Sequence, residues 1–517
     1  MKSLLLIYPP LAKNCEPPPG LARLAGFLCG HGASCATYDA NLHGFYYLLG
    51  LAPGGSDTWT RRAKKNLAAN LAGLRNMATY GNFDRYKRAV ADVNRLLSSV
   101  GQTQGVELSL ANYQDEWSPL RSDHLLQVAE AYEESIFFPF YDEVVPDLLR
   151  AKGPEVIGIS LSYLSQAVAA FALIGFLRAR FPGLKIILGG GLITSWRRSP
   201  LWRDQFAGLV DQCLAGPGEG PLLKLLGGER REGVDITPQY DEPDGPGPAG
   251  ELAKKYLAPG LILPYAAASG CYWNRCLFCP ETAEENPYEP LAPERVVAEV
   301  ASLCERHAPT LIHFLDNAVS PALMQRLVAQ PPGVPWYGFA RASPLLADVD
   351  FCRQLRRSGC VMLKLGLESG DQQVLDAMDK GTRLPMVRQV LAALKAAGIQ
   401  TYVYLLFGTP AEDEAAARRT MEFTIRHHEE ITFLNLAIFN LPLASPEAGG
   451  LAKSDFYAGD LSLYSDFAHP LGWSRRRIRA FLAQEFKRHA AIAPIIQRDP
   501  PLFTSNHAAL FHPSFSG

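Results

Sequence analysis

The chain has 517 residues, 48% apolar and 20% charged, with 50 Lys and Arg against 52 Asp and Glu. That length allows about two to four domains, and the composition suits a folded globular protein and argues against extensive disorder. A net charge of -2 offers no basic excess for nucleic acid and no polybasic block for a membrane surface. Ten cysteines are too dilute for a disulfide scaffold, and three of them cluster tightly, which points to a reducing, cytoplasmic setting.

The N-terminus, MKSLLLIYPP, lacks a signal-peptide cleavage region and reads as a first strand over 4–8, stopped by Pro9-Pro10. A helical pattern follows Pro17-Pro18-Pro19-Gly20, and ASCATYDAN reads as a second strand. Residues 57–150 are polar and helical, with helices near 58–80, 83–100 and 120–150, and look like an insertion. Strand–helix alternation resumes at EVIGISLS (155–162), KIILGGG (185–191) and QCLAGPGEGPLLKLL (212–226). The apolar stretch 156–177 is broken by Ser160, Ser162, Ser165 and Gln166, so it reads as a strand and a helix, not a membrane span. This rhythm predicts an α/β, doubly wound parallel sheet.

Residues 229–253 are rich in Gly, Pro, Asp and Glu and form the best linker. A second series follows, with strands at 261–269, 310–317, 335–342, 361–369, 400–409 and 431–440. Helices are expected between them at 292–307, 321–330, 346–358, 384–397 and 411–427. Six such units predict a partial parallel barrel; a closed eight-unit barrel would need two further units that the pattern does not contain. After about 450 the pattern loosens, with one basic helix near 473–490. The expected organisation is a domain over 1–235 with a helical insertion at about 50–150, a linker over 236–254, a barrel over 255–450 and a C-terminal helical extension over 451–517.

The sharpest signal is SGCYWNRCLFCP, which places Cys271, Cys276 and Cys279 on the loop after the first strand of the second series. Three thiolates in one short loop suit three corners of a [4Fe–4S] cluster and leave the fourth iron for a substrate. A structural zinc site is the alternative, but it normally takes four protein ligands, and the next histidine is only at His307.

On these residues the chain resembles the cobalamin-binding branch of the radical S-adenosylmethionine (SAM) superfamily. The usual spacing there is C-x3-C-x2-C, and this chain has one residue more in the first interval. Phe278 matches the aromatic before the third cysteine, which lies near the adenine. GLESGDQQVLDAMDKGT (366–382) is similar to the branch's fourth-strand segment. The resemblance implies that Glu368 accepts hydrogen bonds from the ribose and that Ser369-Gly370 admits close backbone approach; a turn with a helix cap is the plainer alternative. Asp316 and Asn317, in FLDNAVS, stand where the branch binds the methionine amino group, although the usual Gly-Gly-Glu is absent. Arg341 could pair with the methionine carboxylate through a bidentate contact, and a solvated arginine is the alternative. Gly408 and Pro410, in LLFGTPAED, match the turn that brings backbone to the adenine.

The first series is similar to the companion domain of the same branch, a Rossmann-like fold that binds cobalamin. The resemblance implies a cobalamin crevice at the strand ends near Ser160, Ser162, Gly189, Gly190, Gly218 and Glu219, against generic glycine turns. There is no Asp-x-His-x-x-Gly sequence, and His31 sits on the first helix, so the cobalt is expected to lack a histidine ligand from this domain.

The activity implied is reductive cleavage of SAM at the cluster, with the resulting radical opening a substrate carbon to methyl from methylcobalamin. The substrate is expected to be a peptide or small molecule, the reductant a flavodoxin or ferredoxin, and neither nucleic acid nor membrane is an expected partner. A cobalamin-dependent cyclase or rearrangement enzyme is the first rival. A methylthiotransferase-like RNA enzyme would want a second cluster and a basic domain, and a cluster-bearing sensor would fail to cleave SAM.

Overall fold

The computed structural model describes residues 1–53, 57–240, 253–455, 457–501 and 504–512. The chain divides into two compact units, the first Met1–Ile262 with Tyr457–Leu463 and Pro501–Thr504, the second holding the remainder.

The first unit is built on five parallel strands: β1 (Leu4–Tyr8), β2 (Cys35–Asp39), β3 (Val156–Ser160), β4 (Lys185–Gly189) and β5 (Gln212–Cys213), in the order β2-β1-β3-β4-β5. Strands covered on both faces read as continuous apolar runs, and LLLIY and VIGIS are buried at all but their last residue. Helix α1 (Pro19–Gly30) starts on proline, where a missing N–H costs nothing. Helix α2 (Leu164–Arg180) is the apolar segment that follows β3, and its residues 166–177 are buried all round. No helix among the described residues is long and apolar enough to cross a membrane. Helix α3 (Gly191–Arg198) follows β4, and α4 (Glu219–Leu225) follows β5.

Between β2 and β3 lies the long helical segment expected from the sequence. Its largest element, Phe83–Gln104, is capped by the Asn82 side chain and ended by Gly105 at φ +73°. Part of the presumed linker is anchored. Residues 235–239 run along α1, where a Cβ on Gly26 or Gly30 would lie 2.1 Å from the Thr237 or Asp235 carbonyl oxygen. Residues 241–252 fall outside the described ones. The chain beyond them returns to this unit: Tyr256 donates to Asp39 at 2.6 Å, and the Leu257 amide donates to the Asn14 carbonyl at 2.7 Å.

The second unit carries β6 (Ile262–Tyr265), β7 (Leu311–Phe314), β8 (Trp336–Ala340), β9 (Cys360–Glu368), β10 (Gln400–Phe407) and β11 (Phe433–Ile438), adjacent in chain order in one six-stranded sheet. The pairs from β7 to β11 are parallel, which gives the partial barrel expected. Helices Pro293–His307, Pro321–Ala329, Val349–Arg357, Leu384–Ala397 and Glu414–Arg426 connect them. On β9 the side chains alternate. Leu363, Leu365 and Leu367 are buried on the outer face, while Lys364, Gly366 and Glu368 occupy the inner one.

The segment after 450 is not simply helical. Strands β12 (Leu441–Pro442), β13 (Lys453–Asp455) and β14 (Tyr464–Phe467) form a small antiparallel sheet before the helix Arg475–Gln484. Strands of two to four residues are too short to show a period of two.

Candidate active site

The cysteine loop leaves the sheet through Gly270, at φ +68°, where a Cβ would sit 2.3 Å from the Pro287 carbonyl oxygen. A left-handed position pressed against backbone admits only glycine. Cys271 and Cys279 are half-buried and Cys276 is buried; all three thiols are free. The Cys279 amide donates to the Cys276 carbonyl at 3.1 Å, closing a turn, and Cys279 precedes the short helix Pro280–Ala283.

The loop is fastened to the segment that follows β9. The Trp273 indole donates to the Asp379 carbonyl at 3.0 Å, and Arg275 pairs with the Asp379 carboxylate at 3.0 Å. The Leu277 amide donates to the Met378 carbonyl at 3.0 Å. Gly381, at φ +65°, leaves the space that Trp273 fills, since a Cβ there would lie 1.9 Å from Cζ2 of the indole.

Arg341 follows β8 and reaches this loop. Its guanidinium stacks 4.5 Å from the Trp273 ring centroid, Nη1 donates to Cys276 Sγ at 3.8 Å and Nη2 donates to the Lys380 carbonyl. Each terminal nitrogen thus makes one contact and keeps a second N–H. Lys380, which the sequence reading passed over, is 6% exposed and pairs with Glu368 Oε1 at 2.8 Å. Its ammonium also stands 5.3 Å over the Phe278 ring. Glu368 itself has φ +66°. A glutamate in the left-handed region is strained by about 1–2 kcal/mol, and such strain concentrates where function holds it in place. Gly366 makes room for the pair, because a Cβ there would meet Glu368 Oε1 at 2.5 Å and Lys380 Nζ at 2.9 Å.

Burial pushes the Cys276 thiol up, against the lowering influence of Lys380 and Arg341. Burial likewise raises Cys279 to about 11. Metal ligation displaces such protons. Among the described residues no three His, Cys, Asp or Glu side chains converge to hold a single ion. A [4Fe–4S] cube takes each thiolate at a separate corner and does not need that convergence.

Asp316 and Asn317 lie at the end of β7 and hold the root of the loop. Asp316 is buried, accepts from the Ala267 amide at 3.1 Å and is pushed up to about 6 by burial. Asn317 donates to the Gly270 carbonyl at 3.0 Å. Ser369 follows Glu368. It is fully buried, its hydroxyl meets Thr420 at 3.1 Å and accepts from the Asp371 amide at 3.1 Å, and it serves packing against the helix Glu414–Arg426. Gly408 and Pro410 form the turn after β10. Gly408, at φ +83°, faces Ile478, whose Cδ1 would be 2.4 Å from a Cβ. Its amide donates to Glu412, a fully buried carboxylate that also accepts from the Trp473 indole at 3.1 Å.

In the first unit, Ser160 and Gly189 are register partners at the ends of β3 and β4. Gly190, at φ +105°, brings the β4 turn against the Leu161 carbonyl, 2.4 Å from where a Cβ would lie. Gly218 precedes α4. The amides of Ser162 and Tyr163 donate to Gln166 Oε1 at 3.1 and 3.0 Å, so the β3 turn is tied internally. The Glu219 carboxylate is held by Arg23 at 2.6 Å. Tyr163 is 56% exposed and Leu164 38% exposed in this turn, at the strand ends where ligands of such sheets bind. His31 lies at the far end of α1, with Nδ1 2.8 Å from the Phe27 carbonyl oxygen. His43, which follows β2, stacks on Tyr38 and is lowered to about 4 by burial.

Residues 267–424 match the radical SAM superfamily. The chain is 21% identical over 337 residues to an uncharacterized methyltransferase of Pyrococcus horikoshii, a match covering 59% of this chain and 71% of that protein. It is 23% identical over 292 residues to an anaerobic magnesium-protoporphyrin IX monomethyl ester cyclase of a Synechocystis species, covering 50% of this chain and 57% of that one. Among solved structures, it is similar to the radical SAM methyltransferase TsrM of Kitasatospora setae, solved with tryptophan and a SAM analogue, at TM-score 0.56 and 13% identity over 97% of this chain and 90% of that one. At that identity the likeness speaks for the fold, a Rossmann-like unit followed by a partial barrel. The segment 267–424, with the cysteine loop inside it, is a radical SAM domain.

Proposed function

We propose that the chain is a cobalamin-dependent radical SAM enzyme that methylates a carbon centre of a peptide or small natural product. The observation that carries this reading is the junction at the ends of β8 and β9. There Arg341 links Cys276 to the Lys380 backbone, and Lys380 pairs with the strained Glu368 beside Phe278. The solved relative TsrM holds cobalamin and a [4Fe–4S] cluster, and the same cofactors suit the strand ends of the first unit and the cysteine loop of the second.

When bound, these cofactors and SAM would supply a 5′-deoxyadenosyl radical and a transferable methyl group. The protein's own work is to position and to exclude. Cys271, Cys276 and Cys279 are the ligands, and the Arg341 and Lys380 cations offset the cost of holding thiolate charge at Cys276. Lys380 takes Glu368 Oε1, and Oε2 is the oxygen for the ribose hydroxyls. Phe278 fixes one side of the Lys380 ammonium and packs beside Val374 and Leu375. Asp316 and Asn317 keep the loop's root on the sheet. In the first unit, Ser160, Gly189, Gly190 and Gly218 would offer backbone groups to the corrin, and Tyr163 would offer it an apolar surface. A flavodoxin or ferredoxin is the electron donor suited to this chemistry.

A cyclase that retains cobalamin but transfers no methyl is the second reading, favoured by the match to the magnesium-protoporphyrin cyclase. The full chain, reconstituted anaerobically and incubated with SAM, reductant and hydroxocobalamin, separates the two. Methyl transfer predicts S-adenosylhomocysteine together with 5′-deoxyadenosine. 5′-Deoxyadenosine alone would favour the cyclase, and neither product would remove both.

A further inference from the structure

The turn after β10 is held by the segment that follows the small antiparallel sheet. Residues 408–412 first close on themselves. The Glu412 amide donates to the Thr409 carbonyl at 2.9 Å, and the Gly408 amide donates to the Glu412 carboxylate. Residues 469–478 then grip this turn from outside it. His469 Nε2 lies 2.9 Å from the Thr409 carbonyl oxygen, the Trp473 indole donates to Glu412 at 3.1 Å, and Ile478 packs against Gly408.

The two partners of His469 fix its tautomer. A carbonyl oxygen only accepts, so Nε2 carries the hydrogen, and Nδ1 accepts from the Leu471 amide at 3.2 Å. Both contacts call for neutral imidazole, and burial lowers the group from its ordinary value. With Glu412 and His469 both donating to it, the Thr409 carbonyl has its two lone pairs engaged. That sets the plane of the peptide between Thr409 and Pro410.

The same small sheet reaches the cysteine loop. Phe278 packs on the buried group of Phe439, Leu441 and Ala448, and so does Phe467 of β14. The Phe467 ring centroid lies 5.9 Å from that of Phe439 and 5.7 Å from that of His469. Ser445 Oγ donates to the Leu277 carbonyl at 3.3 Å. One packed group of residues thus connects the aromatic before the third cysteine with the Thr409 turn.

We propose that His469 is a positioning residue for SAM. Its Nε2–H holds the Thr409 carbonyl, and with it the backbone that this turn offers to the adenine. Hydrogen bonds fall off steeply with distance and angle, so a turn released at Thr409 loses grip on the nucleoside and leaves the cluster untouched. His469 lies outside the residues 267–424 that match the superfamily, so its assignment comes from these contacts. The inference rests on the reading of this unit as a radical SAM catalyst with its adenine at the 408–410 turn.

Two substitutions separate the contacts of His469. His469→Gln keeps an N–H at about the reach of Nε2 and loses the acceptor for Leu471. His469→Asn keeps an acceptor at about the reach of Nδ1 and loses the donor to Thr409. The full chain, anaerobically reconstituted and reduced with dithionite, is assayed for 5′-deoxyadenosine as SAM is titrated. His469→Asn and His469→Ala are expected to raise the SAM KM about three- to tenfold, the range for one hydrogen bond, with kcat and iron content held. His469→Gln should stay within about twofold of the wild type. Binding of 5′-deoxyadenosine, followed by calorimetry, should show the same order. It does not need the cluster and so decides the matter for a variant that reconstitutes poorly. Free methionine, which lacks the adenine, should shift the electron paramagnetic resonance signal of the reduced cluster alike in every variant. An unchanged KM throughout, a larger effect of His469→Gln than of His469→Asn, a fall in kcat at constant KM, or a wild type that does not bind 5′-deoxyadenosine would overturn the proposal. A wild type that leaves SAM intact would count against the proposed function, and the 5′-deoxyadenosine affinities would then judge His469 alone.

Discussion

Gly381→Ala tests how the cysteine loop is held. The added Cβ would lie 1.9 Å from Trp273 Cζ2 and 2.3 Å from Cη2, and the backbone at 381 has φ +65°. The left-handed conformation costs a non-glycine residue about 1–2 kcal/mol, and forcing a ring from a filled site costs about 1–3 kcal/mol more. The sum is about 2–5 kcal/mol, which for a unit of this size lowers the melting temperature by roughly 4–20 °C. Displacing the indole also breaks its bond to Asp379 and its stack on Arg341. Iron and sulfide retained after anaerobic reconstitution should therefore fall by more than half. In a Trp273→Ala background the steric part disappears, so the second substitution should cost only the backbone part, about 1–2 kcal/mol. An equal loss with and without Trp273 would refute the argument.

Replacing Cys271, Cys276 and Cys279 together by Ala should abolish reconstitution of about four irons per chain, whereas Cys304→Ala or Cys360→Ala should leave the iron count unchanged. Glu368→Gln should weaken SAM binding by about 1–3 kcal/mol, read as a higher SAM concentration needed to shift the reduced cluster's electron paramagnetic resonance signal. Unchanged affinity would return Glu368 to a turn-forming role. Glu412 gives a pH dependence. Burial raises it from 4.5 to about 7, so the folded protein holds its proton more tightly than the unfolded chain. Its contribution is most favourable below the unfolded value and is lost as pH rises through the folded one, a few kcal/mol between about pH 4.5 and 7. Glu412→Gln should therefore gain in melting temperature relative to wild type at pH 8 compared with pH 5; a difference independent of pH would contradict this. The full chain should bind hydroxocobalamin with no nitrogen superhyperfine splitting in the Co(II) spectrum, and Gly190→Ala should weaken that binding by disturbing the β4 turn.

Most strands of both sheets were legible because they are runs of apolar residues ended by Gly, Pro or a polar turn, as LLLIYPP and KIILGGG show. Order did the rest, since alternating strands and helices leave few topologies open. The cysteine loop was legible from spacing alone. What supports it was not. Lys380 reads as an ordinary charged residue in DKGT, and only the return of the chain beside β9 places its ammonium on Glu368. Trp273 and Gly381 are 108 positions apart and declare nothing to each other in sequence. Glu412 reads as an acidic residue at a helix start, where such residues are commonly solvated; Trp473 and Gly408 bury it instead. The hydroxyl contact of Ser369 with Thr420, 51 positions away, was likewise not legible in sequence. The sheet of β12, β13 and β14 was missed for want of length.

The central claim is SAM cleavage at a cluster held by three cysteines of one loop. The most direct measurement is 5′-deoxyadenosine formed by the anaerobically reconstituted full chain with SAM and dithionite, beside Cys276→Ala treated identically. The account predicts 5′-deoxyadenosine and methionine in equal amounts from the wild type and neither from the variant. A wild type that binds four irons yet leaves SAM intact, or a variant that cleaves it as well, would contradict it.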